Sequence, residues 1–150
     1  MAINISRYQV QLVKERGARY ELNKKVDSLE TARKVFLEVF NLNRQAEEVL
    51  TMITLDTKNN ITGAFEISRG TLNTSTAHPR EIYKRALLQN SASIILAHNH
   101  PSGECTPSAD DVEITARLKN AGQLLGIQLL DHIIIGHEDR YYSFAQNGKI

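Results

Sequence analysis

The sequence predicts one α/β domain in which helices flank a mixed β-sheet. Apolar runs of strand length alternate with segments whose apolar residues recur at helical spacing, and this interleaving is typical of α/β layers. The compact apolar run 93–97 has the character of a central strand that is buried on both faces. With 150 residues, of which 41% are hydrophobic, the chain is long enough to bury one ordinary core.

The predicted elements follow one another without internal repeats. Helix one is expected to begin at Asp27 or Ser28, because Asp27 and Glu30 resemble a capping box and an apolar stripe follows at helical spacing. The next segments predict a hairpin, with a strand at 49–55 and a returning strand at 61–72. The remaining elements are a helix from Pro79 to about Asn90, the strand 93–97, a helix at 108–125 that Gly126 ends, a strand at 127–135 and an edge strand at 141–144.

Residues 1–26 are predicted to form a basic extension ahead of a domain at 27–150. The extension carries six basic and two acidic side chains, although the net charge of the whole chain is only +1. Tyr8, Val10 and Leu12 alternate with polar neighbours, which indicates a half-buried strand, and a following glycine can turn it into a β-hairpin. The charge suits contact with phosphate or with an acidic partner, and an exposed strand can pair with a second copy to form a homo-oligomer.

Composition excludes several classes of protein. No apolar run approaches the ~20 residues that span a bilayer. The N-terminus lacks the apolar core of a signal peptide. We therefore expect a cytoplasmic protein without a membrane partner. The single cysteine, Cys105, excludes an internal disulfide and a zinc site built from cysteines.

Polar residues cluster after the predicted central strand. His98 and His100 are two residues apart, so at a strand end both imidazoles point to the same side. Asp111 lies in the first turn of the next helix, which can fold back and present the carboxylate. Two imidazoles and one carboxylate, with a fourth position for water, are typical of a catalytic zinc site. Asp110 is adjacent to Asp111 and is an alternative ligand.

Two polar pairs in this half of the chain have a second interpretation. Ser108 and Asp111 fit the capping box S-x-x-D, in which case Asp111 is expected to reach a metal only if its carboxylate turns away from the helix end. Asp131 and His132 interrupt an apolar strand, and alternation places them on opposite faces. One of them can orient a zinc-bound histidine from behind, whereas the alternative is a buried histidine that hydrogen-bonds to the backbone.

These residues carry a family resemblance. His98-x-His100, seven residues, Ser108, two residues and Asp111 form the signature of the JAMM, or MPN-plus, metalloproteases, and over about residues 28–148 the chain resembles the bacterial RadC branch. The phrases that carry the resemblance stand at 69–73, 78–81, 98–103, 107–108 and 131–136. The resemblance implies a cytidine-deaminase-like mixed sheet, a zinc cofactor with His98, His100 and Asp111 as ligands, and water as the fourth ligand.

The resemblance also implies the catalytic residues. The general base of the family is a glutamate ahead of an early apolar strand, and counting back from the end of the strand 49–55 favours Glu48 over Glu47. Without the family, both carboxylates are typical of a solvated link. Ser108 corresponds to the family serine that helps to stabilise the developing oxyanion. The implied activity is hydrolysis of a peptide, isopeptide or related amide bond in a peptide or protein substrate.

Two residues depart from the wider family pattern. Asn99 stands between the histidines, where eukaryotic relatives usually have Ser or Thr and the RadC branch has Asn. Thr51 stands where the family often has Gly, and its side chain is expected to crowd the approach to the metal. Neither departure removes a ligand.

A different class of function stays open beside hydrolysis. The RadC branch is associated with DNA repair, so the alternative is a non-catalytic, accessory role in a DNA-repair or mobile-element system through contacts with DNA or with repair proteins. Two other nucleic-acid enzymes fit poorly. HNH nucleases scatter their residues rather than placing them side by side as at 98–100, and the chain lacks the H-x-E and P-C-x-x-C motifs of zinc deaminases.

Overall fold

A five-stranded mixed β-sheet forms the centre of the protein in the computed structural model, which describes residues 1–72 and 77–150. The sheet has the order β2-β1-β3-β4-β5, in which β3 and β4 are parallel and the other neighbours are antiparallel. The strands are β1 (Val49–Leu55), β2 (Ile61–Arg69), β3 (Ser93–Asn99), β4 (Gln128–Ile135) and β5 (Tyr141–Ser143). The helices are α1 (Leu29–Phe40), α2 (Pro79–Leu88) and α3 (Ala109–Leu125), with a short 3-10 helix at Leu42–Arg44. The predicted α/β fold with a mixed sheet is confirmed.

Helices cover both faces of the sheet, so β1 and β3 are buried along their whole length. On one side, which we call the α1 face, Phe36 of α1 packs in one apolar cluster with Ile53. On the other side, the α3 face, Tyr83 of α2 and Leu118 of α3 pack with Leu96. Successive residues of β1 and β3 therefore alternate between the two faces, and this alternation decides where the polar side chains at the strand ends point.

The predicted start of α1 is confirmed, but its capping pair differs. Ser28 is the N-cap, and its Oγ accepts the Thr31 N–H at 3.2 Å while Thr31 Oγ1 accepts the Ser28 N–H at 3.0 Å. The predicted box of Asp27 with Glu30 is wrong, because the Glu30 carboxylate pairs with Arg33 at 2.6 Å instead. Among the described residues, no helix has both the length and the apolar character needed to cross a bilayer.

Strand ends differ from the prediction by a few residues. β2 ends at Arg69 rather than at Leu72, because Gly70 has a φ of +105° and turns the chain away. The Gly70 N–H then donates to the Glu48 carbonyl at 2.8 Å, which keeps this turn beside the start of β1. Asn73, at the end of the phrase 69–73, lies outside the described residues.

The strand predicted in the N-terminal extension is not formed. Residues 1–20, all of which the structure describes, contain no helix or strand, and Tyr8 and Val10 are 86% and 74% exposed. A stable strand needs a neighbouring strand to pair with and an apolar surface to pack on, and this segment has neither. The first paired residue is Lys25, which bridges to Asn60. The expected pairing of a strand at 8–12 with a second copy therefore loses its basis, and the boundary after residue 26 stays a prediction.

Candidate metal centre

Four side chains that can bind a metal ion converge at one end of the sheet. One ligand atom from each of Glu48, His98, His100 and Asp111 lies within 4.8 Å of the others. His98 Nε2 is 3.1 Å from His100 Nε2 and 3.3 Å from Asp111 Oδ1. His100 Nε2 is 3.3 Å from Asp111 Oδ2. We call these residues the four-residue cluster.

Strand alternation brings three of the four together. Leu50 of β1 lies directly opposite His98 of β3, and both side chains point to the α3 face. Glu48 lies two residues before Leu50 and His100 two residues after His98, and because the strands are antiparallel both lie at the same end and point to the same side. The His100 N–H donates to the Ile135 carbonyl at 2.9 Å, which extends the parallel pairing by one residue before the chain turns.

The same alternation separates the two candidate bases. The Glu48 side chain is 21% exposed, its Oε1 lies 3.8 Å from His98 Nε2, and its Oε2 accepts the Leu72 N–H at 3.3 Å. The Glu47 side chain is 58% exposed and pairs with Arg69 at 3.9 Å. The structure thus brings Glu48, and not Glu47, into the cluster. Alternation continued back from β1 contains the same information, since it assigns the even-numbered residue to the α3 face.

Asp111 caps α3 and faces the histidines at the same time. Its Oδ2 accepts the Ser108 N–H at 2.8 Å, and its own N–H donates to Ser108 Oγ at 3.0 Å, so the predicted capping box is confirmed. The expectation that this carboxylate must turn away from the helix end is wrong, because each oxygen has two lone pairs and can serve both partners. Asp110, the alternative ligand, is exposed and lies outside the cluster.

Close contact within the cluster shifts two pKa values in opposite directions. The hydrogen bond to Asp111 raises the pKa of His100 above its usual value. Burial alone would raise the pKa of Asp111, but the hydrogen bonds from His100 and His98 outweigh it and hold that pKa well below its usual range. The aspartate is therefore an anion that calls for a positive charge beside it, either a proton on an imidazole or a metal ion.

The donor atoms fit a tetrahedral metal ion. His100 Nδ1 lies 2.7 Å from the Glu104 carbonyl oxygen, which can only accept, so Nδ1 carries the hydrogen and Nε2 presents a lone pair. In tetrahedral zinc sites, bonds of about 2.0–2.1 Å separate the ligand atoms by about 3.3 Å. The Nε2 atoms of His98 and His100 lie 3.1 Å apart, and each lies 3.3 Å from a different oxygen of Asp111, so all these separations are close to that value. Several divalent transition metals accept this donor set.

Asn99 holds the backbone on both sides of Glu48. Its Oδ1 accepts the Val49 N–H at 2.7 Å, and its Nδ2 donates to the carbonyls of Glu47 at 2.9 Å and Gln45 at 3.3 Å. A side-chain amide offers a donor and an acceptor together, as a peptide group does, whereas a hydroxyl of Ser or Thr has a single hydrogen. The sequence marked Asn99 only as a departure from a pattern, and the structure supplies its contacts.

Thr51 does not crowd the cluster, contrary to expectation. Its side chain is buried on the α1 face, where Oγ1 donates to the Ala97 carbonyl at 2.8 Å. The reason is again alternation, because Thr51 is an odd-numbered residue of β1 and His98 points to the other face.

Asp131 and His132 point to opposite faces, and it is His132 that reaches the cluster. His132 Nε2 lies 2.8 Å from His98 Nδ1, and His132 Nδ1 lies 2.7 Å from Thr115 Oγ1. The ring is fully buried, and this burial lowers the pKa of His132 well below its usual value. Thr115 was missed at the sequence level, since nothing in the sequence pairs a helix threonine with a strand histidine 17 residues later.

A one-residue shift of register decides which of the two faces His132 takes. Ile94 pairs with Leu129, whereas the next residue, Ile95, pairs with Asp131. Leu130 is therefore an extra residue in β4, and side chains beyond it change faces. Without the shift, Leu130 would pair with Ile95 and Asp131 with Leu96, whose side chain lies on the α3 face.

Comparison with known proteins identifies the family. A sequence model described as the RadC-like JAB domain matches residues 26–149. The chain is 50% identical to a UPF0758 protein of Clostridium beijerinckii over 109 residues, which are 73% of this chain and 47% of the relative. It is 48% identical to a UPF0758 protein of Clostridium perfringens over 122 residues, 81% of this chain and 52% of the relative.

A UPF0758 protein of Desulfitobacterium hafniense is 52% identical over 97 residues, 65% of this chain and 42% of the relative. The chain thus spans about half the length of the curated relatives it matches. The family model covers nearly all of the chain, including the whole sheet and all four residues of the cluster. The chain therefore belongs to the RadC-like JAB domain family.

Proposed function

We propose that the protein is a zinc-dependent hydrolase of the JAMM type, which cleaves a peptide, isopeptide or related amide bond. One observation carries the proposal: two imidazole nitrogens, of His98 and His100, meet the carboxylate of Asp111, and the carboxylate of Glu48 lies beside them. Three protein ligands leave a fourth position for water, which distinguishes catalytic zinc sites from structural ones.

Each side chain of the cluster has a defined task in this reaction. His98, His100 and Asp111 would hold the ion through two Nε2 atoms and a carboxylate. Zinc bound there would supply a Lewis acid for the scissile carbonyl and would lower the pKa of a bound water to near neutrality. Glu48 Oε1 takes the proton of the attacking water and delivers it to the leaving amine. Because the Leu72 N–H holds Oε2 at 3.3 Å, the other oxygen stays directed into the cluster.

Ser108 and a neighbouring cleft serve the substrate. Ser108 Oγ accepts the Asp111 N–H, and no acceptor for its own hydrogen lies among the described residues, so it can donate to the oxyanion of the scissile carbonyl. An open cleft of about 490 Å³ is lined by residues 104–107 and 139–142. It is linked to the four-residue cluster through Glu104, whose carbonyl oxygen lies 2.7 Å from His100 Nδ1, and we propose that it receives the substrate chain.

Metal content is the first test. Elemental analysis of the purified protein should find about one zinc per chain, and His100→Ala should lose it. The zinc-loaded protein is then incubated with a library of peptides and isopeptide-linked peptides, and chelation should abolish turnover. Glu48→Gln should keep the zinc and lose turnover, whereas Glu47→Gln, whose side chain points away, should keep both. A wild-type chain that takes up no zinc, or a Glu48→Gln variant as active as the wild type, would contradict the proposal.

The exposed extension favours a second, accessory function in binding nucleic acid or a repair protein. Four of its six basic side chains stand on a segment, 1–20, that is exposed throughout. Such a basic segment can neutralise phosphates without a fold of its own. A salt-sensitive shift of DNA in a gel, lost when residues 1–20 are deleted, is the expected result. A shift that persists without them would remove this candidate.

A further inference from the structure

We infer that Thr115 and His132 set the tautomer of His98 and so direct a lone pair of its Nε2 into the metal position. Both are positioning residues, because neither touches the metal position itself. The inference rests on the proposed metal site and concerns what prepares that site before an ion binds.

Three short hydrogen bonds link Asp111 to His98, two of the proposed ligands. The Asp111 carbonyl oxygen lies 2.7 Å from Thr115 Oγ1, Thr115 Oγ1 lies 2.7 Å from His132 Nδ1, and His132 Nε2 lies 2.8 Å from His98 Nδ1. The four residues come from α3, β4 and β3, and all are buried. The chain of contacts therefore runs through the α3 face without access for water to reverse its direction.

The direction of each bond follows from its first acceptor. A carbonyl cannot donate, so the Thr115 hydroxyl donates to the carbonyl of Asp111 and has no second hydrogen. The hydroxyl oxygen must then accept, which requires a hydrogen on His132 Nδ1. A neutral His132 with its hydrogen on Nδ1 accepts at Nε2, so the bond to His98 takes its hydrogen from His98 Nδ1.

The surroundings of His132 suit this neutral form. Among the described residues, its ring nitrogens contact only the Thr115 hydroxyl and the His98 ring. Phe144 stacks on the imidazole, with ring centroids 5.2 Å apart and planes 14° from parallel. The ring is thus held in one orientation, with Nδ1 facing the Thr115 hydroxyl and Nε2 facing the His98 ring. A neutral imidazole, with one donor and one acceptor, matches these two neighbours.

The consequence appears at the other end of the chain of bonds. With its hydrogen on Nδ1, His98 presents a lone pair at Nε2. The Glu104 carbonyl imposes the same tautomer on His100. Two lone pairs then face each other across 3.1 Å beside the Asp111 carboxylate, and a metal ion or an added proton stabilises that arrangement.

The first experiment observes the tautomers directly. Ring-nitrogen NMR of the ¹⁵N-labelled, metal-free protein, recorded at a pH where the imidazoles are neutral, should show the hydrogen of His98 and of His132 on Nδ1. Thr115→Val keeps the shape of the side chain but removes the acceptor, so His132 should move its hydrogen to Nε2 and His98 should invert in response. Thr115→Ser keeps the hydroxyl and should keep the wild-type spectrum.

The second experiment measures zinc affinity by competition with a chromophoric chelator. Loss of a partner behind a ligand typically costs about 10–100-fold in metal affinity, which is the loss expected for Thr115→Val and for His132→Phe. Thr115→Ser should bind zinc as the wild type does. Melting curves identify the variants that are folded, and the Ser–Val pair separates the hydroxyl from the volume of the side chain.

Two results would overturn the inference: a wild-type spectrum with the His98 hydrogen on Nε2, or a folded Thr115→Val variant with unchanged tautomers and unchanged affinity. A purely structural threonine would give the second result with only a lower melting temperature. If the wild type binds no zinc, the proposed function fails, and the spectra of the metal-free protein still decide the present inference.

Discussion

Asp131 and His132, neighbours in β4, belong to polar clusters on opposite faces of the sheet. The two clusters differ in whether their polar atoms all have hydrogen-bond partners. On the α1 face, Asp131 Oδ1 accepts the N–H groups of His132 at 2.7 Å and Ala145 at 3.0 Å, and Oδ2 accepts the Ser143 hydroxyl at 2.6 Å. Each of its oxygens has a donor. On the α3 face, the hydrogen bonds of His132 lead to the four-residue cluster, where lone pairs and a carboxylate face one another.

The difference separates a structural role from a functional one. Buried polar groups in proteins are normally satisfied by partners, and the closed cluster around Asp131 obeys that rule by tying β4 to β5 and to the turn that follows. The four-residue cluster obeys it only when a metal ion or an added proton lies among its lone pairs and carboxylates. This need for a positive charge marks the cluster as a candidate metal centre.

The largest effect should follow from breaking the four-residue cluster. Asp111→Asn removes the negative charge that two imidazole nitrogens face at 3.3 Å, so the variant should lose most of its zinc on dialysis. Asp110→Asn, one residue away and exposed, should keep it. Elemental analysis of both variants measures the difference. Equal zinc content in the two would remove Asp111 from the ligands.

Breaking the cluster around Asp131 should lower the stability of the fold and leave the zinc content unchanged. Asp131→Ala leaves three donors without their acceptor, which should cost about 2–4 kcal/mol in the free energy of unfolding. Denaturant unfolding of the metal-free proteins measures this loss, and zinc content should stay at the wild-type level. Loss of zinc without loss of stability would show that the two faces are not separate in function.

The side chain of Asn99 is also satisfied by its partners, and it lies next to the four-residue cluster. Asn99→Asp places an anionic oxygen against the carbonyls of Glu47 and Gln45, which should cost about 1–3 kcal/mol in unfolding free energy. Since the side chain holds the backbone around Glu48 and touches no ligand, zinc content should persist while turnover falls. A variant with normal turnover on a substrate of the wild type would show that Glu48 needs no such support.

The smallest effect concerns pH. Burial raises the pKa of Asp131 above its usual value, against the hydrogen bonds it accepts. A raised carboxyl pKa contributes stability that is complete below the unfolded value, about 3.9, and is lost as the pH rises through the folded pKa. Asp131→Asn keeps most partners and does not ionise.

The stability of the wild type relative to this variant should therefore fall as the pH rises from about 4 toward neutrality, by at most about 1.4 kcal/mol per pH unit. Urea unfolding of both proteins across this range measures the slope. A rising difference would mean that the hydrogen bonds to Asp131 outweigh its burial.

Much of this arrangement was predictable because it depends on local spacing. Side chains two residues apart on a strand share a face, which is why His98 and His100 could be placed together from the sequence. The S-x-x-D pattern likewise predicted the start of α3. Glu48 was favoured over Glu47 through the family resemblance. The prediction of an N-terminal strand was wrong because it depended on long-range contacts. Alternation shows which face of a strand would be buried, but not whether another part of the protein covers that face.

The sequence by itself determined the order of helices and strands, the family, and the histidines and aspartate that converge, because these follow from short-range geometry and from motif spacing. Only the tertiary structure decided which side of the sheet His132 takes, through the extra residue Leu130 in the pairing of β3 with β4. It also decided that Thr115 meets His132. Register and helix packing are properties of two segments together, so neither segment alone contains them.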